Sequence, residues 1–190
     1  MTVTLVRSYD PAWPAHFRQI ERYLAAGLGE LDCVIEHVGS TAVPGMVAKP
    51  IIDVDVVIQP GAFATVKGRL ERLGYEHQGD LGIPEREAFY LAAERTRAAL
   101  PEHHLFICVW GVVELRRHLA FRDFLRENPM WRARLSRLKL ELCVVYRNDR
   151  RAYIEGKSAM VQQITELAMA VTPRVLTTVS SCCEMRKEGP

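Results

Sequence analysis

The amino-acid sequence predicts an α+β fold, a mixed β-sheet layered with helices and followed by a C-terminal helical segment. Three observations carry this. Up to about residue 111 short strand-like runs alternate with helical stripes, whereas beyond it apolar residues recur at helical spacing alone. The 190 residues, 48% hydrophobic and 25% charged, suffice for one well-cored domain and leave little room for two. The two strands flanking the glycine-containing loop lack a helix-length crossover, and no G-x-G-x-x-G is present, which excludes a doubly wound nucleotide fold.

Taken in order, residues 2–7 alternate enough for a short strand, and Asp10-Pro11 offers a helix cap and a first-turn proline. Trp13, Phe17, Ile20, Leu24 and Leu28 then form one apolar stripe, with Gly27 and Gly29 marking its end. Cys33 to Val38 reads as a strand entering the loop Gly39-Ser40-Thr41-Ala42-Val43-Pro44-Gly45. Ile51 to Ile58 is the clearest strand in the chain. Residues 62–73 predict a helix closed by Gly74, and strands follow at Tyr75–Gln78, Ala88–Ala92 and His104–Trp110. Three helices complete the domain: Glu114–Arg126, ended by Asn128-Pro129, then one lined by Trp131 to Val145 and one lined by Ile154 to Leu167. The domain thus spans 1–171, with a sheet-containing part to about 111 and a helical part over 112–171, and residues 172–190 read as a mobile tail.

A formal charge of +2 argues against general electrostatic binding to nucleic acid or anionic lipid, and no strand shows an aromatic-and-basic face of the kind nucleic acids need. No apolar run has the length of a signal peptide or a membrane span, so a cytoplasmic location is expected. Five widely spaced cysteines without a C-x-x-C suit reduced thiols better than a disulfide frame or a zinc site.

The chemistry starts with Ile51-Ile52-Asp53-Val54-Asp55-Val56-Val57-Ile58. Alternation puts Ile52, Val54, Val56 and Ile58 on one face and both aspartates on the other. Two carboxylates ~6–7 Å apart along a strand repel unless water solvates them or a cation lies between them. A Mg²⁺ ion, or Mn²⁺ in its place, is one solution, with its other positions left to water and phosphate; a solvated outer face is the other. Gly39-Ser40, just after the preceding strand, supplies backbone N–H groups and a hydroxyl where a polyphosphate would meet that metal. Lys49 either reaches a phosphate or lies along the surface.

With those residues in view, His37-Val38-Gly39-Ser40-Thr41-Ala42-Val43-Pro44-Gly45 and Ala48-Lys49-Pro50-Ile51-Ile52-Asp53 resemble the signature of the GrpB family, placed in the nucleotidyltransferase-like superfamily. Similar in kind are Tyr9-Asp10-Pro11 with Trp13, Gly74-Tyr75, His104-Leu105, Phe121-Arg122-Asp123-Phe124-Leu125-Arg126, Leu138-Lys139, and Tyr153 with Lys157, so the likeness spans about residues 5–170. It implies a nucleotidyltransferase-like sheet, Gly39 and Ser40 in the glycine-serine position, and Asp53 and Asp55 as metal ligands for a bound nucleoside triphosphate. It singles out Arg122, Lys139 and Lys157 as phosphate-facing cations, each of which can equally belong to a structural ion pair with, for instance, Asp123 or Glu141. Arg116, Arg117, Arg122 and Arg126 read either as a basic wall toward the phosphates or as a solvated helix face.

Superfamily enzymes usually carry a third carboxylate on a later strand, and His104-Leu105-Phe106-Ile107-Cys108-Val109-Trp110 has none. The family tends to His-Leu-His here, so Phe106 stands where a second histidine is expected, and His104 is the candidate base or ligand in place of the acid. The resemblance therefore implies metal-assisted nucleotidyl transfer to an unknown acceptor. Its alternative is a noncatalytic binding or folding-accessory domain, as suggested for family members fused to dephospho-coenzyme A kinase, with that coenzyme A biosynthesis kinase as the partner.

Overall fold

The computed structural model describes residues 5–147 and 149–171. Helix α1 (Trp13–Leu28) leads into β1 (Cys33–Val38), a short 3-10 turn at Ser40–Ala42, and β2 (Ile52–Ile58). Then come α2 (Phe63–Arg72), β3 (Tyr75–Gly79), β4 (Arg86–Leu91), α3 (Glu94–Ala99) and β5 (His103–Val109). Helices α4 (Val113–Glu127), α5 (Pro129–Val145) and α6 (Arg150–Val171) follow. The five strands form one sheet in the order β1-β2-β5-β4-β3. β2 and β5 run parallel and the other neighbours antiparallel, so the sheet is mixed as the sequence predicts. The long passage through α2, the β3–β4 pair and α3 is what lets β2 and β5 align in parallel.

The alternation in β2 decides which layer lies on which face. Ile52, Val54, Val56 and Ile58 are buried with Leu105 and Ile107 of β5 beneath the apolar stripes of α1 and α2. Each such side chain contributes ~1.5–3 kcal/mol by leaving water, whereas a one-residue slip would turn Asp53 and Asp55 into that core. The opposite face, bearing both aspartates, is capped by the C-terminal helices: Val57 and Cys108 meet Leu115 of α4 there. A second buried cluster joins Val43 and Met46 of the loop after β1 to Leu125, Leu135 and Ile164 of the cap, which fixes that loop against α4, α5 and α6.

Several local expectations change. The predicted strand at 2–7 is, within the described residues, a single bridge between Arg7 and Ala48. Helix α1 begins at Trp13 because residues 10–12 form a turn, in which Asp10 Oδ1 accepts the Ala12 amide at 2.9 Å. Gly27 lies inside α1 rather than at its end; a β-carbon there would fall 2.4 Å from the side chain of Leu73, so the glycine makes room for the residue that caps α2. Helix α3, which has no buried residue and hence no apolar stripe, is absent from the sequence reading. The predicted mobile tail, 172–190, lies outside the described residues. Among the described residues no helix is long and apolar enough to cross a membrane.

Candidate functional site

The β1–β2 register sets Asp53 opposite Val38 and Asp55 opposite Glu36, while the β2–β5 register sets them opposite His104 and Phe106. Asp53 thus stands beside the loop that leaves β1. Gly39 has φ of +70°, and a β-carbon on it would lie 2.3 Å from Asp53 Oδ2, so glycine alone permits this approach of loop to carboxylate. A cavity of about 360 Å³ opens between this sheet face and the helical cap. Gly39, Ser40, Asp53, Lys139 and Lys157 line it together, joining the predicted loop, one predicted metal ligand and two predicted phosphate-facing lysines.

Lys139 reaches the cavity from α5. It is 2% exposed, and its Nζ donates to Ser40 Oγ at 2.7 Å and to the Val47 carbonyl at 2.9 Å. Neither partner is charged. Burial pushes this amine down to about 7, and repulsion from Lys157 and Lys49 adds to it against the opposing pull of Asp53. Lys157 is also held below the usual lysine range by burial, with Asp53 again opposing. Lys49 and Lys157 share the ring of Tyr153, with their Nζ atoms 4.8 and 5.4 Å from its centroid. Three of the chain's five lysines are therefore gathered beside one half-buried carboxylate, an arrangement that repels itself until an anion enters.

Asp55 is fully buried beneath the cavity. Its Oδ2 accepts from His118 Nδ1 at 2.7 Å, and Oδ1 has no partner among the described residues. His118 Nε2 lies 3.4 Å from Glu114 Oε1. Burial opposes a charged ring, yet the bonds to Asp55 and Glu114 outweigh it and raise His118 to about 9. Glu114 is lowered in return, chiefly by its bond to His118. Arg86, which also lines the cavity, stacks over Phe106 with Cζ 4.3 Å from the ring centroid, and its buried Nε has no acceptor among the described residues. The sequence reading missed His118, Glu114 and Arg86. A signal existed for the first two, since Glu114 and His118 share a helix face at i, i+4.

Three predicted residues fall elsewhere. Arg122 does not line the cavity: its guanidinium donates to Glu36 at 2.6 Å, to Asp123 at 2.7 Å and to the His37 carbonyl at 3.1 Å, clamping α4 to β1. The ion-pair alternative thus describes Arg122, because Glu36 projects from the same sheet face and captures it first. Of the arginines on that helix, Arg117 alone lines the cavity, paired with Glu114 at 3.4 Å, while Arg126 Nε donates to the Ala42 carbonyl at 3.0 Å. Lys49 stands behind the cavity lining, against Tyr153. His104 is not a lining residue either; its Nδ1 lies 2.9 Å from Asp53 Oδ1, so it reaches the site through that carboxylate.

The donor set fits a hard divalent cation. Asp53 faces the cavity with Oδ2 toward the glycine loop, and the buried, unpartnered Oδ1 of Asp55 is an oxygen that a cation would satisfy.

The fold is nucleotidyltransferase-like. It resembles a Cid1 poly(U) polymerase mutant bound to MgATP with a TM-score of 0.50 and 14% identity, over 70% of this chain and 42% of that one, a likeness of fold alone. Within that class the chain belongs to the GrpB family, whose model, described as GrpB protein, matches residues 3–167. The conserved protein GrpB from Enterococcus faecalis shares 33% identity and a TM-score of 0.74, over 87% of this chain and 97% of that one. A UPF0157 protein of Pseudomonas aeruginosa is 36% identical over 164 residues, 86% of this chain but 66% of that relative, so the chain spans just under two thirds of its length. A stretch of 58 residues is 38% identical to a dephospho-CoA kinase of Mycolicibacterium paratuberculosis, covering 29% of this chain and 14% of that enzyme.

Proposed function

We propose that the chain binds a nucleoside triphosphate with Mg²⁺ in the cavity and serves as a nucleotidyltransferase toward an acceptor hydroxyl. The observation that carries this reading is the lysine group: Lys139, buried, and Lys157, half-buried, line the cavity with Asp53 and the Gly39-Ser40 loop, and neither has an ion pair among the described residues. Burying amines in this way costs stability unless a bound anion offsets it. Backbone N–H groups, a hydroxyl and amines are the donors that a chain of phosphates takes.

Asp53 and the free oxygen of Asp55 would hold the Mg²⁺, which when bound supplies charge neutralisation at the phosphates. Lys139 positions Ser40 and, with Lys157, stabilises negative charge on the phosphoryl oxygens. His104 stands outside the cavity lining and fixes one oxygen of Asp53 through Nδ1, so its Nε2 would take the proton of an acceptor that enters on its side of that carboxylate. A second reading is favoured by the absence of a carboxylate on β5 and by the short likeness to a dephospho-CoA kinase. There the domain keeps the pocket and assists a coenzyme A biosynthesis kinase without transferring anything.

Calorimetry with Mg²⁺ and each common ribonucleoside triphosphate should detect binding that Asp53→Asn weakens at least tenfold. Binding by the variant equal to wild type, or no binding of any triphosphate with Mg²⁺ or Mn²⁺, refutes the site. Pyrophosphate release then separates the two readings. A transferase loses ~10²–10⁴-fold in turnover on His104→Ala with triphosphate affinity retained, whereas an accessory domain releases none with any acceptor.

A further inference from the structure

Beneath the cavity a second group of ligand-type side chains is brought together by three elements. One carboxylate oxygen of Asp55 (β2), a ring nitrogen of His118 (α4) and the Sγ of Cys108 (β5) all lie within 4.8 Å of one another. Around a tetrahedral ion with bonds of ~2.0–2.3 Å, ligand atoms sit roughly 3.3–3.8 Å apart, so modest side-chain rotations would close the set. Two further observations point to a cation. Asp55 Oδ1 is buried with no hydrogen-bond partner among the described residues, and a carboxylate oxygen so placed lacks the compensation that burial demands. Glu114 stands 3.4 Å from the other ring nitrogen of His118, the outer carboxylate that orients a ligating imidazole.

We propose that Asp55, Cys108 and His118 form a site for a borderline-soft divalent ion of the zinc type, with its fourth position open toward the cavity. The ligand chemistry selects the ion. A thiolate disfavours Mg²⁺ and Ca²⁺, which take oxygen ligands, and favours zinc, for which one sulfur, one nitrogen and one oxygen are ordinary partners. The charges close as well: a thiolate and a carboxylate offset the two charges of the ion, the imidazole is neutral, and Glu114 holds its remaining N–H. Ligation needs Cys108 as the thiolate and the Asp55-facing nitrogen of His118 without its hydrogen, so ion uptake releases both protons. Cys108 and Asp55 are fully buried, and His118 is the member that lines the cavity, which puts the open position on the cavity side. The proposal goes beyond the triphosphate reading and competes with it for the free oxygen of Asp55, which serves one ion or the other.

The test needs no nucleotide, so it stands or falls apart from triphosphate binding. The full chain carrying Cys182→Ser and Cys183→Ser, which removes the adjacent thiols of the tail, is stripped with chelator and titrated with Zn²⁺ and separately with Co²⁺. The expected result is one ion per chain, a Co²⁺ spectrum with tetrahedral visible bands and a thiolate charge-transfer band, and proton release on binding. Cys108→Ser should abolish the charge-transfer band, and Glu114→Gln should weaken Zn²⁺ ~10–100-fold, the usual effect of removing an outer carboxylate. No uptake at micromolar metal, an octahedral Co²⁺ spectrum without a sulfur band, or Zn²⁺ affinity unmoved in both variants overturns the site and leaves Asp55–His118 as a structural pair. The charge-transfer band of the unmutated site decides the matter even where Cys108→Ser fails to fold.

Discussion

Replacing Lys139 by Met should stabilise the free protein at pH 6 and at the same time weaken its affinity for a polyanion. Methionine keeps the length and flexibility of the chain without the charge. Burial lowers the Lys139 amine from 10.5 to about 7, which corresponds to roughly 5 kcal/mol against holding it charged in the folded state. The substitution removes that cost but strands the Val47 carbonyl, worth about 1–3 kcal/mol, while Ser40 faces the cavity and can turn to water. A net gain of ~2–4 kcal/mol at pH 6 follows. The pH dependence gives the sign. Below about 7 the folded and unfolded chains both carry the proton and the full cost is present. Between about 7 and 10.5 the unfolded chain keeps a proton that the folded one has lost, so wild-type stability rises with pH. By pH 9 the wild type should recover about 3 kcal/mol relative to Lys139→Met, and the two proteins should nearly match. Urea unfolding of both at pH 6 and pH 9 measures this difference of differences. Calorimetry with MgATP should show affinity reduced roughly 10–100-fold, the worth of a charge-assisted hydrogen bond. A variant equally destabilised at both pH values would refute the argument, because Lys139 would then be a paired structural cation rather than one waiting for an anion.

Three further outcomes follow from the same geometry. Gly39→Ala should lower stability by about 1–3 kcal/mol for a backbone conformation that essentially only glycine adopts and displace Asp53, read as a lower Tm together with weakened Mn²⁺ affinity. Arg122→Met should cost about 2 kcal/mol by releasing Glu36 and the His37 carbonyl while leaving triphosphate affinity unchanged, and a large loss of affinity would return Arg122 to the phosphate site. Phe106→His should lose about 1 kcal/mol of stacking with Arg86 in urea unfolding. Pyrophosphate release that appears only in this variant would show that Phe106 had silenced a transferase.

The sheet was legible because its periods are strong. Apolar and acidic residues alternate strictly from Ile52 to Val56, and burying four β-branched side chains on one face leaves both aspartates no choice but the other. The glycine-serine loop was legible for a related reason: a small-residue loop between two strands marks a close approach, here of Gly39 to Asp53. What stayed hidden depends on how the helices turn against the sheet. Glu114, Arg117, His118 and Arg122 lie on one helix with no steep apolar contrast, so local sequence does not say which of them faces the sheet. Docking decides it, sending Arg122 to Glu36 and His118 to Asp55. Helix α3 was invisible because it buries nothing and thus leaves no stripe to read.

That docking also settles the charge of the site. Parallel pairing puts His104 beside Asp53 and Phe106 beside Asp55, so β5 supplies no acid. The carboxylate nearest in role, Glu114, arrives instead from α4 and acts on Asp55 through His118. The amines arrive from α5 and α6. The sheet therefore contributes the acids and the loop, and the cap contributes the cations that face them. A lesion anywhere in the cluster of Val43, Met46, Leu125, Leu135 and Ile164 should loosen both at once, because the loop and the cap share that packing. Ile164→Ala, outside the cavity lining, is the discriminating case. A buried Ile→Ala change costs about 2–5 kcal/mol, and if the cap positions the amines it should also weaken triphosphate binding in protein that is still fully folded. Stability lost with affinity intact would mean that the loop and the strand hold the ligand without the cap.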